Sequence, residues 1–153
     1  MGNQSEKFII YTDGGSRGNP GEAGAGAVVT DRTGMVLKEA HRALGVMTNN
    51  EAEYEAVILG LETIKKAIGK ARAAAAEIEI KLDSELVAQQ LAGKFQIKEK
   101  TLQPLFMKIW NARVVTFTRL TFVYIPREKN RRADKLANQA IDENTRPPPK
   151  PLF

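Results

Sequence analysis

Residues 8–21 read FIIYTDGGSRGNPG, an apolar run followed by a glycine-rich segment. The four β-forming residues at its start predict a short buried strand that ends in a turn at residues 12–15. Residues 25–30 and 35–44 have the composition of two further strands, and the glycine-containing segment between them suits a hairpin turn. The chain is therefore predicted to open with three sequential antiparallel strands.

Helical and strand patterns alternate after this opening. Residues 49–70 carry apolar side chains at helical spacing and predict the longest helix. Residues 77–82 alternate polar and apolar side chains, as a half-buried strand does, and residues 120–125 predict the last strand. Shorter helices are predicted at residues 84–91, 101–114 and 130–144. This order predicts an α/β domain with an antiparallel start and parallel crossovers.

The composition describes one ordinary globular domain. The chain has 153 residues, of which 42% are hydrophobic and 27% are charged. It has no cysteine and a single histidine, which excludes disulfides, thiolate zinc sites and cysteine nucleophiles.

No apolar run approaches the ~20 residues of a membrane span, and the polar start lacks a signal sequence, so we expect a cytoplasmic protein. Residues 1–144 are predicted to form the domain, and residues 145–153 a Pro-rich tail.

Charge is unevenly distributed along the chain, whose net charge is +5. Residues 1–93 carry 10 basic and 13 acidic side chains, whereas residues 94–132 carry 10 basic and 2 acidic ones. A basic segment beside an acidic part of one domain is typical of a polyanion held against carboxylates. A solvated basic face without a partner would have the same composition, so charge alone leaves both interpretations open.

Four carboxylates occupy positions at which the spacing of the neighbouring apolar residues predicts a side chain that faces the sheet or its end. Asp13 continues one face of the first strand, and Asp83 directly follows the alternating strand. Glu53 and Asp134 lie on the inward sides of the first and last long helices. Each of them alone has a structural explanation, as a turn residue, a helix cap or a partner of the helix dipole.

Taken together, the four carboxylates indicate a metal site. Buried carboxylates repel one another and lose hydration, so a cluster needs a compensating cation. Oxygen ligands without His or Cys select Mg²⁺ or Mn²⁺ over zinc. Two such ions about 4 Å apart suit phosphodiester hydrolysis, because one activates water and the other stabilises the leaving oxygen. A carboxylate cluster beside a basic segment is therefore the chemistry of a nuclease.

Four segments resemble the ordered motifs of the type 1 ribonuclease H family. They are YTDGGSRGNPG at 11–21, TNNEAEY at 48–54, LDSEL at 82–86 and NRRADKLA at 130–137. The resemblance implies a ribonuclease H-like mixed five-stranded sheet flanked by helices. It also implies endonucleolytic hydrolysis of the RNA strand of RNA–DNA hybrids, which leaves 5′-phosphate and 3′-hydroxyl ends. The metal-binding catalytic carboxylates, holding two Mg²⁺ or Mn²⁺ ions with substrate, would be Asp13, Glu53, Asp83 and Asp134.

The same resemblance implies a strip of substrate-binding residues. Gly14, Gly15 and Ser16 match positions that contact ribose 2′-hydroxyls together with Glu53. Polar residues of the first two motifs match positions that contact the two strands, namely Asn19, Thr48, Asn49 and Asn50. Turn and cap chemistry explains these polar residues equally well, and both roles can hold together. Contacts with backbone and sugar predict little sequence specificity.

The chain departs from the family pattern in two segments. Many members carry a histidine in the loop before the last helix, but residues 125–130 contain none. Arg127 and Glu128 are the two candidates to replace it, and we hypothesise Arg127, because a cation there would hold the scissile phosphate. The basic, tryptophan-rich protrusion of some members is absent, and we interpret Trp110 as a core residue. The segment is still basic, which predicts diffuse and salt-sensitive binding of the hybrid. We interpret His41, distant from both segments, as structural.

Two other functions fit the same fold. One is a binding module with an incomplete metal site, and the other is a structure-specific DNA nuclease of the same superfamily. We expect a monomer with no membrane association. Residues 146–153 are expected to be a mobile end, with docking on the domain itself or contact with a replication protein as alternatives.

Overall fold

A computed structural model gives the structure of residues 5–145 and 151. Its strands are β1 (Lys7–Gly18), β2 (Gly21–Asp31), β3 (Val36–Met47), β4 (Glu77–Leu82) and β5 (Leu120–Tyr124). Its helices are α1 (Asn49–Ile68), α2 (Lys70–Ala75), α3 (Glu85–Leu91), α4 (Gln103–Val115) and α5 (Arg131–Thr145), with a 3-10 turn at Arg127–Lys129. Within this described part, no helix is both long and apolar enough to cross a membrane. The rest of the predicted tail lies outside the described residues.

The five strands form one mixed sheet in the order β3-β2-β1-β4-β5. β1, β2 and β3 pair antiparallel, whereas β4 and β5 join in parallel through helical crossovers. This arrangement confirms the predicted architecture. Helix α1 packs on one face of the sheet and α5 on the other. Gly26 of β2 lets α5 lie directly on the sheet, because a Cβ there would be 2.3 Å from the carbonyl oxygen of Ala133.

β1 is longer than the sequence predicted. The predicted turn at residues 12–15 is wrong, since β1 continues to Gly18 and turns into β2 only at residues 19–20. The reason is pairing: β2 supplies an antiparallel partner for every residue of β1 from Phe8 to Gly18, whereas the parallel pairing with β4 ends at Thr12. Asp13 therefore lies inside β1, at the point where β4 ends beside it.

The main core lies between the sheet and α1, and Trp110 is not part of it. The interpretation of Trp110 as a core residue is wrong, because it is 48% exposed and stacks on Phe106 with ring centroids 6.3 Å apart. Helix α4 buries Ile109 instead. Apolar residues occur all around α4, including the exposed Met107 and Val114. Spacing alone therefore does not identify its buried side.

Candidate active site

Three acidic side chains from three elements meet at one end of the sheet. Asp13 lies in β1, Glu53 lies near the start of α1, and Asp83 directly follows β4. Each contributes one carboxylate oxygen to a group in which all three oxygens lie within 4.8 Å of one another. Asp13 and Glu53 are buried, whereas Asp83 is half-buried. The structure thus brings together three of the four carboxylates singled out in the sequence.

Glycine at position 14 permits this convergence. A Cβ at Gly14 would lie 2.0 Å from the carbonyl oxygen of Ala52 and 2.7 Å from the backbone nitrogen of Glu53. Any larger residue would push α1 away from β1 and Glu53 away from Asp13. Gly15, in contrast, has no atom within 4 Å of its Cβ position. The first glycine of the motif is therefore needed for packing, and the second leaves open space above the strand.

Burial and mutual repulsion disfavour negative charge on two of the carboxylates. Burial, followed by repulsion from Asp83 and then contact with Asp134, raises the pKa of Asp13 to about 8, while Arg127 acts in the opposite direction. Burial, followed by repulsion from Asp13 and Asp83, raises the pKa of Glu53 well above its usual value. A bound cation would offset both effects by favouring the charged carboxylates.

The three carboxylates fit a hard divalent cation. Their ligand atoms are all oxygens and are close enough to share one ion. Oε2 of Glu53 is buried and has no hydrogen-bond partner in the described part of the chain, although a buried polar atom normally has one. Mg²⁺ and Mn²⁺ prefer such oxygen ligands. Asp13, Glu53 and Asp83 are therefore the residues able to hold this ion.

Asp134 stands apart from the other three carboxylates. It lies in the first turn of α5, is exposed, and is not a member of the group of converging oxygens. Its carboxylate is nevertheless close enough to Asp13 to raise the pKa of that residue. Asn138, one turn later, donates to Asp134 Oδ1 at 3.3 Å, and Arg17 donates to Asn138 Oδ1 at 3.3 Å. Asp134 therefore lies at the outer rim of the site rather than on its floor.

A cleft of about 470 Å³ opens over the carboxylates. Besides all four of them, six of the residues singled out in the sequence line it: Gly14, Gly15, Ser16, Asn49, Asn50 and Arg127. The first three lie on β1, the two asparagines begin α1, and the arginine belongs to the 3-10 turn. The cleft therefore joins the floor of carboxylates to a strip of small and polar groups.

Asn19 and Thr48 lie behind this cleft rather than on its lining. Asn19 Oδ1 accepts the backbone N–H of Asn49 at 3.0 Å. Thr48 caps α1 in a capping box with Glu51. Asn49 Oδ1 in turn accepts the backbone N–H of Ser16 at 3.0 Å. In this structure the turn and cap chemistry of Asn19 and Thr48 thus orients neighbours that do line the cleft.

Two arginines line the cleft, and they differ in their partners. Arg17 forms an ion pair with Asp142 at 2.7 Å. Arg127 has no ion pair within 4.0 Å among the described residues, yet lies near enough to Asp13 to lower its pKa. The histidine of the chain lies elsewhere, since Nε2 of His41 on β3 is 2.9 Å from Glu143 Oε2. Of the two arginines, Arg127 is therefore the one available to bind an anionic ligand.

Asn130 received no role from the sequence, but the structure places it directly beneath the site. It is 1% exposed, and its Nδ2 donates to the carbonyl oxygen of Thr12 at 2.9 Å and to Asp83 Oδ2 at 3.0 Å. Its Oδ1 is buried without a partner among the described residues, at a cost of roughly 1–3 kcal/mol. An asparagine before a helix resembles an ordinary cap in the sequence, so no local signal indicates this burial.

Comparison with known proteins gives related sequences over most of the chain. Residues 11–140 match a family model described as reverse transcriptase-like. The chain is 42% identical to the bifunctional protein Rv2228c of Mycobacterium tuberculosis over 89% of its own length and 36% of that protein. It is 32% identical to a ribonuclease H of Hydrogenovibrio crunogenus, over 92% of its own length and 99% of that protein. The chain thus spans about a third of the mycobacterial relatives and nearly all of the second protein.

Solved structures give the same relationship. LC11-RNase H1 in complex with an RNA/DNA hybrid superposes with a TM-score of 0.86 at 47% identity, over 90% of this chain and 98% of that one. The N-terminal RNase H domain of Rv2228c from M. tuberculosis gives a TM-score of 0.81 at 39% identity, over 91% and 96% of the two chains. With its four ordered motifs, its mixed sheet and these relatives, the chain belongs to the type 1 ribonuclease H family.

Proposed function

We propose that this chain is a metal-dependent endonuclease that hydrolyses the RNA strand of RNA–DNA hybrids with little sequence specificity, leaving 5′-phosphate and 3′-hydroxyl ends. The observation that carries the proposal is the convergence of Asp13, Glu53 and Asp83 on the floor of an open cleft. The similar LC11-RNase H1, solved with an RNA/DNA hybrid, supports the substrate class.

The acidic residues of the floor and of the rim would bind metal in different ways. Asp13, Glu53 and Asp83 would bind a divalent ion from the floor, and Asp134 would add its carboxylate from the rim when substrate is present. Two Mg²⁺ or Mn²⁺ ions, when bound, supply an activated water and neutralise the charge that develops on the phosphate. Because burial raises the pKa of Asp13 and Glu53, binding of a cation to these carboxylates would be coupled to the release of protons.

The strip along β1 and α1 would recognise the RNA strand. The open space above Gly15 admits a sugar close to the backbone. Asn49 is oriented by Ser16 and Asn19, so its position is set before substrate arrives. Small and polar groups of this kind can contact a ribose 2′-hydroxyl, which distinguishes RNA from DNA.

The basic segment between α3 and β5 would hold the hybrid outside the cleft. Asn50 Nδ2 donates to Glu99 Oε1 at 3.4 Å, which places the connection before α4 beside the cleft. Lys98 and Lys100 flank Glu99 and are exposed. The same segment contains four further basic residues, namely Lys94, Lys108, Arg113 and Arg119. Phosphate binding by such dispersed cations should weaken steeply with salt.

Incubation with matched RNA–DNA, RNA–RNA and DNA–DNA duplexes tests this function. We expect cleavage of the RNA strand of the hybrid alone, in Mg²⁺ or Mn²⁺, and its loss in chelator and in Asp13→Asn. End-labelling of the fragments identifies the 5′-phosphate and 3′-hydroxyl products. Cleavage of the DNA duplex would instead identify a DNA nuclease, and binding of the hybrid without cleavage would identify a binding module. A monomeric state, cytoplasmic location and contact of the tail with a replication protein stay predictions from the sequence.

A further inference from the structure

Asn130 connects three of the four elements that carry the acidic residues. Its side chain donates to the carbonyl oxygen of Thr12, the residue before Asp13 in β1, and to Oδ2 of Asp83 after β4. Its own carbonyl oxygen accepts the backbone N–H of Asp134 at 3.1 Å, the first hydrogen bond of α5. One residue thus contacts the backbone beside Asp13, the carboxylate of Asp83 and the backbone of Asp134.

The chemistry of the amide decides how Asn130 is oriented. Both atoms that its side chain meets are oxygens that act as acceptors, so only the NH₂ group can face them. The two hydrogens of that group match the two acceptors, and a hydroxyl or a carboxylate at this position could not serve both. Asn130 is also the one side chain that donates to Asp83 within residues 5–145.

The same residue anchors the turn that carries Arg127. The backbone N–H of Asn130 donates to the carbonyl oxygen of Arg127 at 3.0 Å, which closes the 3-10 turn. The turn that carries Arg127 meets Asn130 at its backbone, whereas the floor of the cleft meets it at its side chain. The buried, unpartnered Oδ1 indicates that packing alone does not select this residue, because an apolar side chain would leave no such atom.

We propose that Asn130 is a positioning residue for the metal site. Its amide holds the ends of β1 and β4 at a set distance and fixes Asp83 so that one carboxylate oxygen is engaged and the other is left for the ion. This inference rests on the proposed metal-dependent function and deepens it. Groups that orient metal ligands from behind typically change metal affinity or activity by about 10- to 100-fold when they are removed.

The test compares Asn130→Ala with Thr30→Val in the substrate-free protein. Thr30 is also buried, and its Oγ1 donates to the carbonyl oxygen of Ile9 at 3.2 Å, so its loss removes a comparable hydrogen bond away from the site. By isothermal titration calorimetry with Mn²⁺, we expect affinity to fall about 10- to 100-fold in Asn130→Ala and to stay within about twofold in Thr30→Val. Affinity for the hybrid in chelator should change by less than about threefold in both, because substrate contacts lie elsewhere.

Equal Mn²⁺ affinity in the folded Asn130→Ala variant and the unchanged protein would overturn the inference. So would a loss of Mn²⁺ affinity in Thr30→Val as large as that in Asn130→Ala, because stability alone would then explain it. Should Asn130→Ala unfold at the assay temperature, Asn130→Ser, which keeps one donor for two acceptors, takes its place with a smaller expected loss. Failure of the unchanged protein to bind Mn²⁺ would instead refute the proposed function itself.

Discussion

The floor of the cleft, called its inner wall below, and the rim, called its outer wall, are built in different ways. The inner wall consists of Asp13, Glu53 and Asp83, which come from β1, α1 and the end of β4 and are fixed by the packing of the core. The outer wall consists of Arg127 and Asp134, which are exposed and come from a 3-10 turn and the first turn of α5. Packing of like charges costs stability chiefly on the inner wall, because Asp13 and Glu53 are buried there. Substitutions should therefore affect folding and reaction differently on the two walls.

The largest difference should appear in activity. We expect Asp13→Asn to lower kcat/KM on a hybrid by about 10³-fold or more, because charge stabilisation by bound metal contributes several kcal/mol and each 1.4 kcal/mol is about tenfold. Asp134→Asn should lower it by only about tenfold, because the rim residue lies outside the converging oxygens. Steady-state kinetics in Mg²⁺ measure both values. Equal losses would show that the two walls contribute alike.

Stability should distinguish two adjacent glycines at the boundary of the inner wall. Gly14→Ala places a Cβ against the backbone of α1, and we expect a loss of about 3 kcal/mol or more in the free energy of unfolding. Gly15→Ala meets open space and should change that free energy by less than about 1 kcal/mol. Urea denaturation in chelator measures both. A stable Gly14→Ala protein would mean that α1 does not need its close approach to β1.

A moderate effect is expected for the cation of the outer wall. Arg127→Ala should lower kcat/KM by about 10- to 100-fold, since a hydrogen bond from a charged group contributes roughly 1.5–3 kcal/mol. Lys129→Ala is the matched control, because Lys129 lies on the same turn but not on the lining of the cleft. The unfolding temperature of both should stay near that of the unchanged protein. Similar kcat/KM values for the two variants would show that Arg127 has no specific role in the reaction.

The last expected difference is a pH dependence of stability that arises on the inner wall. Asp13 has a pKa of about 8 in the folded metal-free protein, whereas an unfolded aspartate loses its proton near 3.9. The folded state therefore holds more protons between these values, and its stability should fall as the pH rises from about 4 to about 8. In chelator at pH 8, Asp13→Asn should therefore unfold at a higher temperature than the unchanged protein, because its side chain carries no charge to bury.

Calorimetry at pH 5 and pH 8 provides the measurement. Asp31→Asn serves as the control, because hydrogen bonds from the Thr33 side chain and then the nearby backbone lower the pKa of the Asp31 carboxyl, and it stays charged across the range. The change between pH 5 and pH 8 should be smaller in Asp13→Asn and unaltered in Asp31→Asn. An unaltered change in Asp13→Asn would mean that Asp13 is not responsible for it.

Local sequence patterns correctly predicted those elements that depend only on neighbouring residues. The strict alternation of residues 77–82 predicts β4 with the bounds that the structure shows, because period-two alternation follows from strand geometry itself. The capping role of Thr48 is likewise a contact within one turn of helix. The four motifs also identified the acidic residues before any fold was known, since each motif holds a carboxylate that the apolar pattern directs inward.

The chain by itself therefore determined its order of strands and helices, its family and the acidic residues of its cleft. Only the tertiary structure decided that β1 runs on through Asp13, that Trp110 is exposed, that Asp134 lies apart from the inner wall and that Asn130 is buried beneath it. These features depend on strand partners and on approaches between helix and sheet that join residues far apart in the sequence. Periodicity describes which face of an element is apolar, but not which distant element comes to cover it.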